Sequence, residues 1–375
     1  MQLDYDNSIV SLTNAILAHY GAAPHHSPLP YLEDLLAQNH KNVVLLVLDG
    51  MGVNVLERNL PESSFLRSHI KTELSSVYPC TTTAATTSFL SGKTPAEHGW
   101  LGWSCYFQEV DRCIDLFSGN ESGTGRPAAK EHLPNRLLAY DSIFKQIEQA
   151  ANKKVKTFFV SPFSKPFADT MEGICTQIKK LGKKRGRKYI YAYHFQPDKD
   201  MHDHGVSAPR IGGLLKEYDR QLEQLCAKLS GTLLLITADH GMADITMHCV
   251  EDYPALHGCL RKPVSVEPRA CSFFVKETHM ADFPGIFQEA FGEKFRLYTH
   301  NEFLDGGFLG NGQPHRKTAE FVGDFVAVAV ADAALWYRDI NTGAKNFKGA
   351  HAGLTEAELT VPLIVLECPA IKKRF

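Results

Sequence analysis

Apolar residues along this chain gather into short unbroken runs that stop at turn-forming or charged residues. The clearest is Val43–Leu48, VVLLVL, which ends abruptly at Asp49-Gly50. A run of that length bounded by a turn predicts a buried strand. The pattern returns at Lys156–Val160, at Tyr189–Phe195, at Thr232–Thr237 before Ala238-Asp239-His240-Gly241, and at Thr360–Leu366. Between these runs the apolar period lengthens to that of helices at Asn54–Leu60, Ser142–Asn152 and Ile211–Ser230, and the N-terminal segment and Tyr31–Gln38 read the same way. Leu74–Tyr78 predicts a short strand feeding the Thr-rich stretch from Pro79 to Gly92, whose second half predicts a helix beginning near Thr82. Strand, helix and strand in alternation predict an α/β fold: a mostly parallel central sheet with helices on both faces.

From about residue 245 to 345 the rhythm breaks into aromatics, prolines and short strand-like pieces such as Cys271–Val275 and Phe325–Ala331. That segment predicts a smaller inserted α+β subdomain, 245–345, within an α/β core formed by 1–244 and 346–375. Residues 118–135 read as a Gly/Ser/Pro-rich surface loop, and the basic run Lys179–Lys188 as a solvated helix end rather than an anion-steering patch. Specificity is expected to lie in 104–135 and in the insert, neither of which carries a decodable motif.

Composition narrows the picture. A net charge of −2, with 22% charged and 44% hydrophobic residues, describes a globular protein with no electrostatic case for a nucleic-acid polymer as partner. The nine cysteines are scattered, odd in number and without a CxxC pair, so they do not read as a disulfide framework. Asp4 and Asp6 precede the first apolar positions, and no basic segment leads an uninterrupted apolar core, so the N-terminus reads as an amphipathic helix rather than a signal peptide. No run approaches the ~18 apolar residues of a membrane span. The expectation is a cytoplasmic protein with no membrane partner.

Three predicted strand ends carry acidic or imidazole groups: Asp49, then Asp198 with His202 and His204, then Asp239 with His240. A fourth turn, Gly349-Ala-His-Ala-Gly353, offers His351. Ligands of open parallel sheets sit beyond the carboxyl ends of the strands, and carboxylate oxygen with imidazole nitrogen is a donor set for Zn²⁺ or a similar ion. Each cluster alone has a plainer reading, such as Asp49 capping the next helix; together they suit two metals. Thr81, Thr82 and Thr83 supply hydroxyls at a helix N-terminus, where an ion could activate one of them and backbone N–H groups could hold a phosphoryl group, or where they simply cap the helix.

Six segments in order then resemble the nucleotide pyrophosphatase/phosphodiesterase branch of the alkaline phosphatase superfamily. They are Leu48-Asp-Gly-Met-Gly, Tyr78-Pro-Cys-Thr-Thr-Thr, Ser91–Gly99, Asp198-Lys-Asp-Met-His202, Ala238-Asp-His-Gly-Met242 and Gly349–Gly353. The resemblance implies two divalent ions, Zn²⁺ by preference, one held by Asp198, His202 and His351 and the other by Asp49, Asp239, His240 and the nucleophile. It places the nucleophile at Thr82, with Thr81 second, leaves His204 outside the ligand set, and implies a phosphothreonine intermediate. The implied activity is hydrolysis of phosphodiesters or nucleotide pyrophosphate bonds, the substrate being a small phosphorylated molecule. Phosphonate or monoester hydrolysis and phosphomutase chemistry are the alternatives. Where the family's diesterases carry an asparagine, this chain has Trp103; it and Trp100 read either as stacking surfaces or as packing. Lys93 is the one basic residue in the matched nucleophile segment, and Cys80 lacks the Pro and Arg that sulfatase modification needs.

Overall fold

The computed structural model describes residues 3–38, 40–338 and 347–369. Its main sheet has six strands in the order Ile70–Ser75, Thr360–Cys368, Thr232–Thr237, Asn42–Leu48, Arg187–His194, Val155–Val160. Asn42–Leu48 lies in the interior of this sheet and is buried along its whole length. Helices cover both of its faces, so every side chain of that strand meets protein, which is why it lacks alternation. It pairs in parallel with Thr232–Thr237 on one side and Arg187–His194 on the other, with Leu48 opposite His194 and Val47 opposite Thr237. The three strands therefore finish level. Whatever follows each of them emerges at one end of the sheet.

One helix layer joins Ile9–His19, Thr82–Ser91 and Ile143–Ala150; another joins Val53–Asn59, Met171–Lys183 and Pro209–Cys226. The C-terminal strand runs antiparallel between Thr232–Thr237 and Ile70–Ser75, which makes the sheet mixed at that edge. Ile70–Ser75 begins and ends earlier than Leu74–Tyr78, the stretch expected from sequence. As an edge strand it alternates between partly buried and exposed positions, so no apolar run marks it. No helix among the described residues is long and apolar enough to cross a membrane.

A second six-stranded sheet is antiparallel throughout: Phe295–Thr299, Phe325–Ala329, Ala270–Phe273, Ser265–Glu267, Ser104–Phe107, Arg112–Asp115. Four strands come from the 245–345 segment. The other two form a hairpin just before the 118–135 loop, so the segment expected to be an insert shares its sheet with residues far upstream. The 345/346 boundary lies outside the described residues. The second sheet contributes Asp115 and Glu267, each at a strand end, to the rim and wall of the cavity described next.

Candidate active site

Asp49 follows the interior strand directly. Its backbone N–H donates to His194 O at 2.9 Å and its own carbonyl accepts from Asp198 N–H at 3.0 Å, which fastens two strand ends together. The turn needs Gly50: its φ is +71°, and a Cβ there would lie 2.9 Å from Asp198 Cβ. Gly52 and Gly241 are equally close-packed, since a Cβ on Gly52 would meet Gly241 Cα at 2.5 Å. The glycines after Asp49 and His240 let the two ligand-bearing turns touch.

Six sequence-predicted residues fall into two groups: Asp49, Asp239 and His240, all buried, and Asp198, His202 and His351. The His240 and His351 rings stack with centroids 3.8 Å apart, so the groups are neighbours. His204 is exposed and belongs to neither group. All three histidines point Nε2 at the carboxylates while Nδ1 meets a backbone carbonyl: Gly349 O at 2.8 Å for His202, Gly241 O at 2.8 Å for His240, Cys80 O at 3.2 Å for His351. That pairing favours the Nδ1–H tautomer and leaves the Nε2 lone pair free for a cation.

The spacings fit ions better than direct hydrogen bonds. An ion in tetrahedral coordination, with bonds of about 2.0–2.2 Å, holds adjacent ligand atoms roughly 3.3–3.6 Å apart. His240 Nε2 lies 3.3 Å from Asp49 Oδ1, 3.6 Å from Asp239 Oδ2 and 3.3 Å from Thr82 Oγ1. Thr82 Oγ1 is 3.4 Å from each Asp49 oxygen. In the other group His202 Nε2 is 3.3 Å from Asp198 Oδ2, and His351 Nε2 is 3.7 Å from Asp198 Oδ1. Asp198 Oδ1 and Asp239 Oδ2 are buried with no hydrogen-bond partner, a costly state for carboxylate oxygens that a cation would relieve. Asp239 Oδ1, by contrast, accepts from the N–H groups of Gly50 and His240, both at 3.0 Å.

Electrostatics agree. In the protein alone, burial and the neighbouring Asp49 push Asp239 up to about 7. Burial and Asp198 also raise Asp49, against the opposing pull of His240 and a hydrogen bond from Tyr193 Oη. Burial works against a charge on His240, but Asp239 and Asp49 outweigh it and lift it to about 10. His351, buried beside His240 and His202, is held well below its ordinary value and stays neutral. Two carboxylates buried side by side are raised despite the neighbouring His240, and the donor sets fit a divalent cation in each group.

Thr82 is the first residue of the Thr82–Ser91 helix. Thr81 occupies the N-cap position without capping; its hydroxyl instead donates to Glu267 Oε1 at 2.6 Å. The first N–H groups of that helix therefore receive no bond from the cap side chain. Thr83 is fully buried, with no partner for its hydroxyl. Cys80 is buried against Gly353 O at 3.2 Å, and burial raises its thiol well above the ordinary value.

A cavity of about 440 Å³ opens over these groups and is lined by Thr81, Thr82, Asp198, His202 and His351. Several of its other walls were not legible in the sequence. Phe347 stacks on His202 with centroids 4.2 Å apart, and Lys199 stands exposed at the rim. Glu267, 7% exposed, accepts from Thr81 and from Trp103 N–H, both at 2.6 Å, and burial pushes its carboxyl up to about 7. The residue before it, Val266, holds φ at +80°, an outlier for a β-branched side chain costing on the order of 1–3 kcal/mol. The two tryptophans separate. Trp100 is 5% exposed and donates Nε1–H to Leu138 O, whereas Trp103 is 52% exposed and its indole is hydrogen-bonded to Asp115 at the cavity. Lys93 is not among the cavity residues. The His351 turn is braced from behind by the fully buried Arg269–Glu358 pair, which also accepts Gly353 N–H at 2.7 Å on Glu358 Oε1.

A sequence model of type I phosphodiesterase / nucleotide pyrophosphatase matches residues 43–353. No curated protein matches by sequence. Among solved structures, human ectonucleotide pyrophosphatase/phosphodiesterase 5 is similar with a TM-score of 0.65 at 14% identity, over 86% of this chain and 87% of that one. The murine protein of the same name gives 0.62 at 14% identity over the same shares. Phosphonoacetate hydrolase from Sinorhizobium meliloti, in complex with phosphonoformate, gives 0.61 at 15% identity over 88% of this chain and 90% of that one. At such identities the likeness is one of fold.

Proposed function

Because the chain belongs to the type I phosphodiesterase / nucleotide pyrophosphatase family and is a metal-dependent phosphodiester hydrolase, we propose that it works through Thr82 as nucleophile beside two zinc sites. The observation that carries this reading is the position of Thr82 Oγ1, 3.3 Å from His240 Nε2 and 3.4 Å from both Asp49 oxygens, at a helix N-terminus that lines the same cavity as Asp198, His202 and His351. Asp49, Asp239 and His240 would hold one ion together with Thr82, and Asp198, His202 and His351 the other. Bound there, divalent ions supply positive charge that lowers the pKa of a hydroxyl or a water and offsets charge on phosphoryl oxygens.

The residues of the chain do the rest. Thr82 Oγ1 gives up its proton to solvent and forms a bond to phosphorus, in line with the departing ester or pyrophosphate oxygen, which leaves with the electron pair of its broken bond to phosphorus. Backbone N–H groups of the first helical turn donate to the non-bridging oxygens, a role open to them because Thr81 is engaged by Glu267. Water then attacks phosphorus of the threonine-linked intermediate, which still carries the second ester group; the P–Oγ bond breaks, a proton from that water returns to Thr82, and the phosphomonoester leaves. Tyr193 fixes the Asp49 carboxylate, and the three carbonyl-bound Nδ1 atoms fix the imidazoles.

A small nucleotide or other phosphodiester is the proposed substrate and the cytoplasm the proposed location. The murine relative supports the first point, since a threonine-to-alanine variant of it is described as inactive and in complex with AMP. Hydrolysis of a phosphonate is the second reading, favoured by Trp103 where a diesterase would carry an amide. Turnover of a nitrophenyl phosphodiester and of the corresponding monoester and phosphonate, with and without chelator and with Thr82→Ala, tests the proposal. Activity that survives both chelation and the substitution overturns it. Release of the alcohol with a free phosphomonoester from a diester, or with free phosphate or phosphonate from the other two, rather than return of the phosphoryl group to product, separates a hydrolase from a mutase.

A further inference from the structure

Glu267 has a carboxyl oxygen that the fold leaves unused. Both hydrogen bonds to this side chain, from Thr81 and from Trp103 N–H, fall on Oε1. Oε2 has no partner among the described residues, yet it is not among the buried atoms sealed from solvent, and Glu267 lines the cavity that holds Thr82, Asp198 and His351. The residue is thus 7% exposed, anchored through Oε1, and set in the wall of the cavity that a phosphoryl group must enter to reach Thr82.

Anchoring Thr81 would need only an acceptor, which a glutamine supplies as well as a glutamate. An ionised carboxylate adds a fixed negative charge beside the phosphoryl site. A phosphodiester reaches the site as a monoanion, a phosphomonoester at alkaline pH as a dianion, so such a charge acts unequally on them. We propose that Glu267 is a specificity-determining residue, whose free Oε2 repels the second negative charge of a phosphomonoester and so restricts the site to diesters. The proposal rests on Thr82 as the point of attack. At the separations a shared cavity allows, one extra unit charge changes relative affinity on the order of ten- to a hundredfold.

Glu267→Gln keeps the Oε1 acceptor for Thr81 and Trp103 and replaces Oε2 by a neutral amide donor. In the full chain loaded with zinc and assayed well above neutrality, where the carboxyl is ionised, this variant should raise the monoester-to-diester ratio of kcat/KM at least about tenfold, using nitrophenyl phosphate and methyl nitrophenyl phosphate. An equilibrium readout accompanies it: phenyl phosphate should bind Thr82→Ala/Glu267→Gln at least about tenfold more tightly than Thr82→Ala alone, by calorimetry. A ratio and an affinity both within about twofold of their references overturn the proposal, because charge repulsion of this size cannot then be present. The two readings fail separately. Turnover surviving Thr82→Ala rejects the nucleophile, whereas loss of turnover in Thr82→Ala with an unmoved ratio in Glu267→Gln rejects the charge role alone.

Discussion

Thr82 Oγ1 stands 3.4 Å from both carboxylate oxygens of Asp49, longer than a good hydrogen bond and close to the spacing of two ligands on one cation. Asp49→Asn keeps the shape and hydrogen-bonding size of the side chain but halves its ligand strength. It should lower kcat by about a hundredfold or more and reduce bound metal toward one ion per chain, read by elemental analysis after gel filtration. Full activity with two bound ions would return Asp49 to the role of a helix cap.

Tyr193 makes the same point from behind the ligand. Its hydroxyl donates to Asp49 Oδ2. Tyr193→Phe should weaken metal binding at the Asp49 site about 10- to 100-fold while leaving the Asp198 site at wild-type affinity, measured by competition with a metal-binding dye. Equal weakening at both sites would contradict the assignment of Asp49 to one group.

The pH dependence of the chelated protein has a fixed sign. Asp239 is lifted from 3.8 to about 7, so the stability it contributes is complete below 3.8 and is lost as pH rises through 7. His240 is lifted from 6.5 to about 10, so its contribution is complete below 6.5 and is lost as pH rises through 10. Both groups make the metal-free protein less stable toward alkaline pH. On the proposed reading a divalent ion takes the place of those protons, so the rise in Tm on adding zinc should grow across the same interval. Thermal scans with chelator and with zinc at several pH values check this; a zinc increment that shrinks with rising pH contradicts it.

Trp100 and Trp103 should behave oppositely. Trp100 is buried and hydrogen-bonded to Leu138 O, so Trp100→Ala should cost about 3–5 kcal/mol in urea unfolding. Trp103→Ala leaves its backbone N–H on Glu267 and removes an exposed ring at the cavity mouth, so the loss should stay within about 1 kcal/mol while KM for an aryl diester rises severalfold. A destabilisation of Trp103→Ala equal to that of Trp100→Ala would make both packing residues.

Much of the site could be read before the fold because of how parallel sheets announce themselves. Asp49, Asp198 and Asp239 follow apolar runs whose strands lie side by side, so a polar residue at the end of a run marks the functional edge. Thr82 was legible as a helix start. Glu267, Asp115 and Tyr193 were not. Glu267 and Asp115 end short strands of three and four residues, Ser265–Glu267 and Arg112–Asp115, whose pairing depends on partners distant in sequence, so no local period reveals them. Tyr193 sits in the aromatic strand Arg187–His194, where its hydroxyl reads as one more packed ring until Asp49 is seen beside it. Ile70–Ser75 was misplaced for a related reason, since an edge strand with one covered flank has no continuous apolar run.

The central claim is that Thr82 Oγ1 itself forms the bond to phosphorus. Acid quenching of the zinc-loaded protein during turnover of a nitrophenyl phosphodiester, followed by proteolysis and mass spectrometry, tests it most directly. The phosphoryl group with its remaining ester substituent should appear on the peptide containing Thr82 in the wild type and be absent from Thr82→Ala, with turnover lost in parallel. A phosphate-free Thr82 peptide, together with a Thr82→Ala variant that turns over at the wild-type rate, would contradict the account.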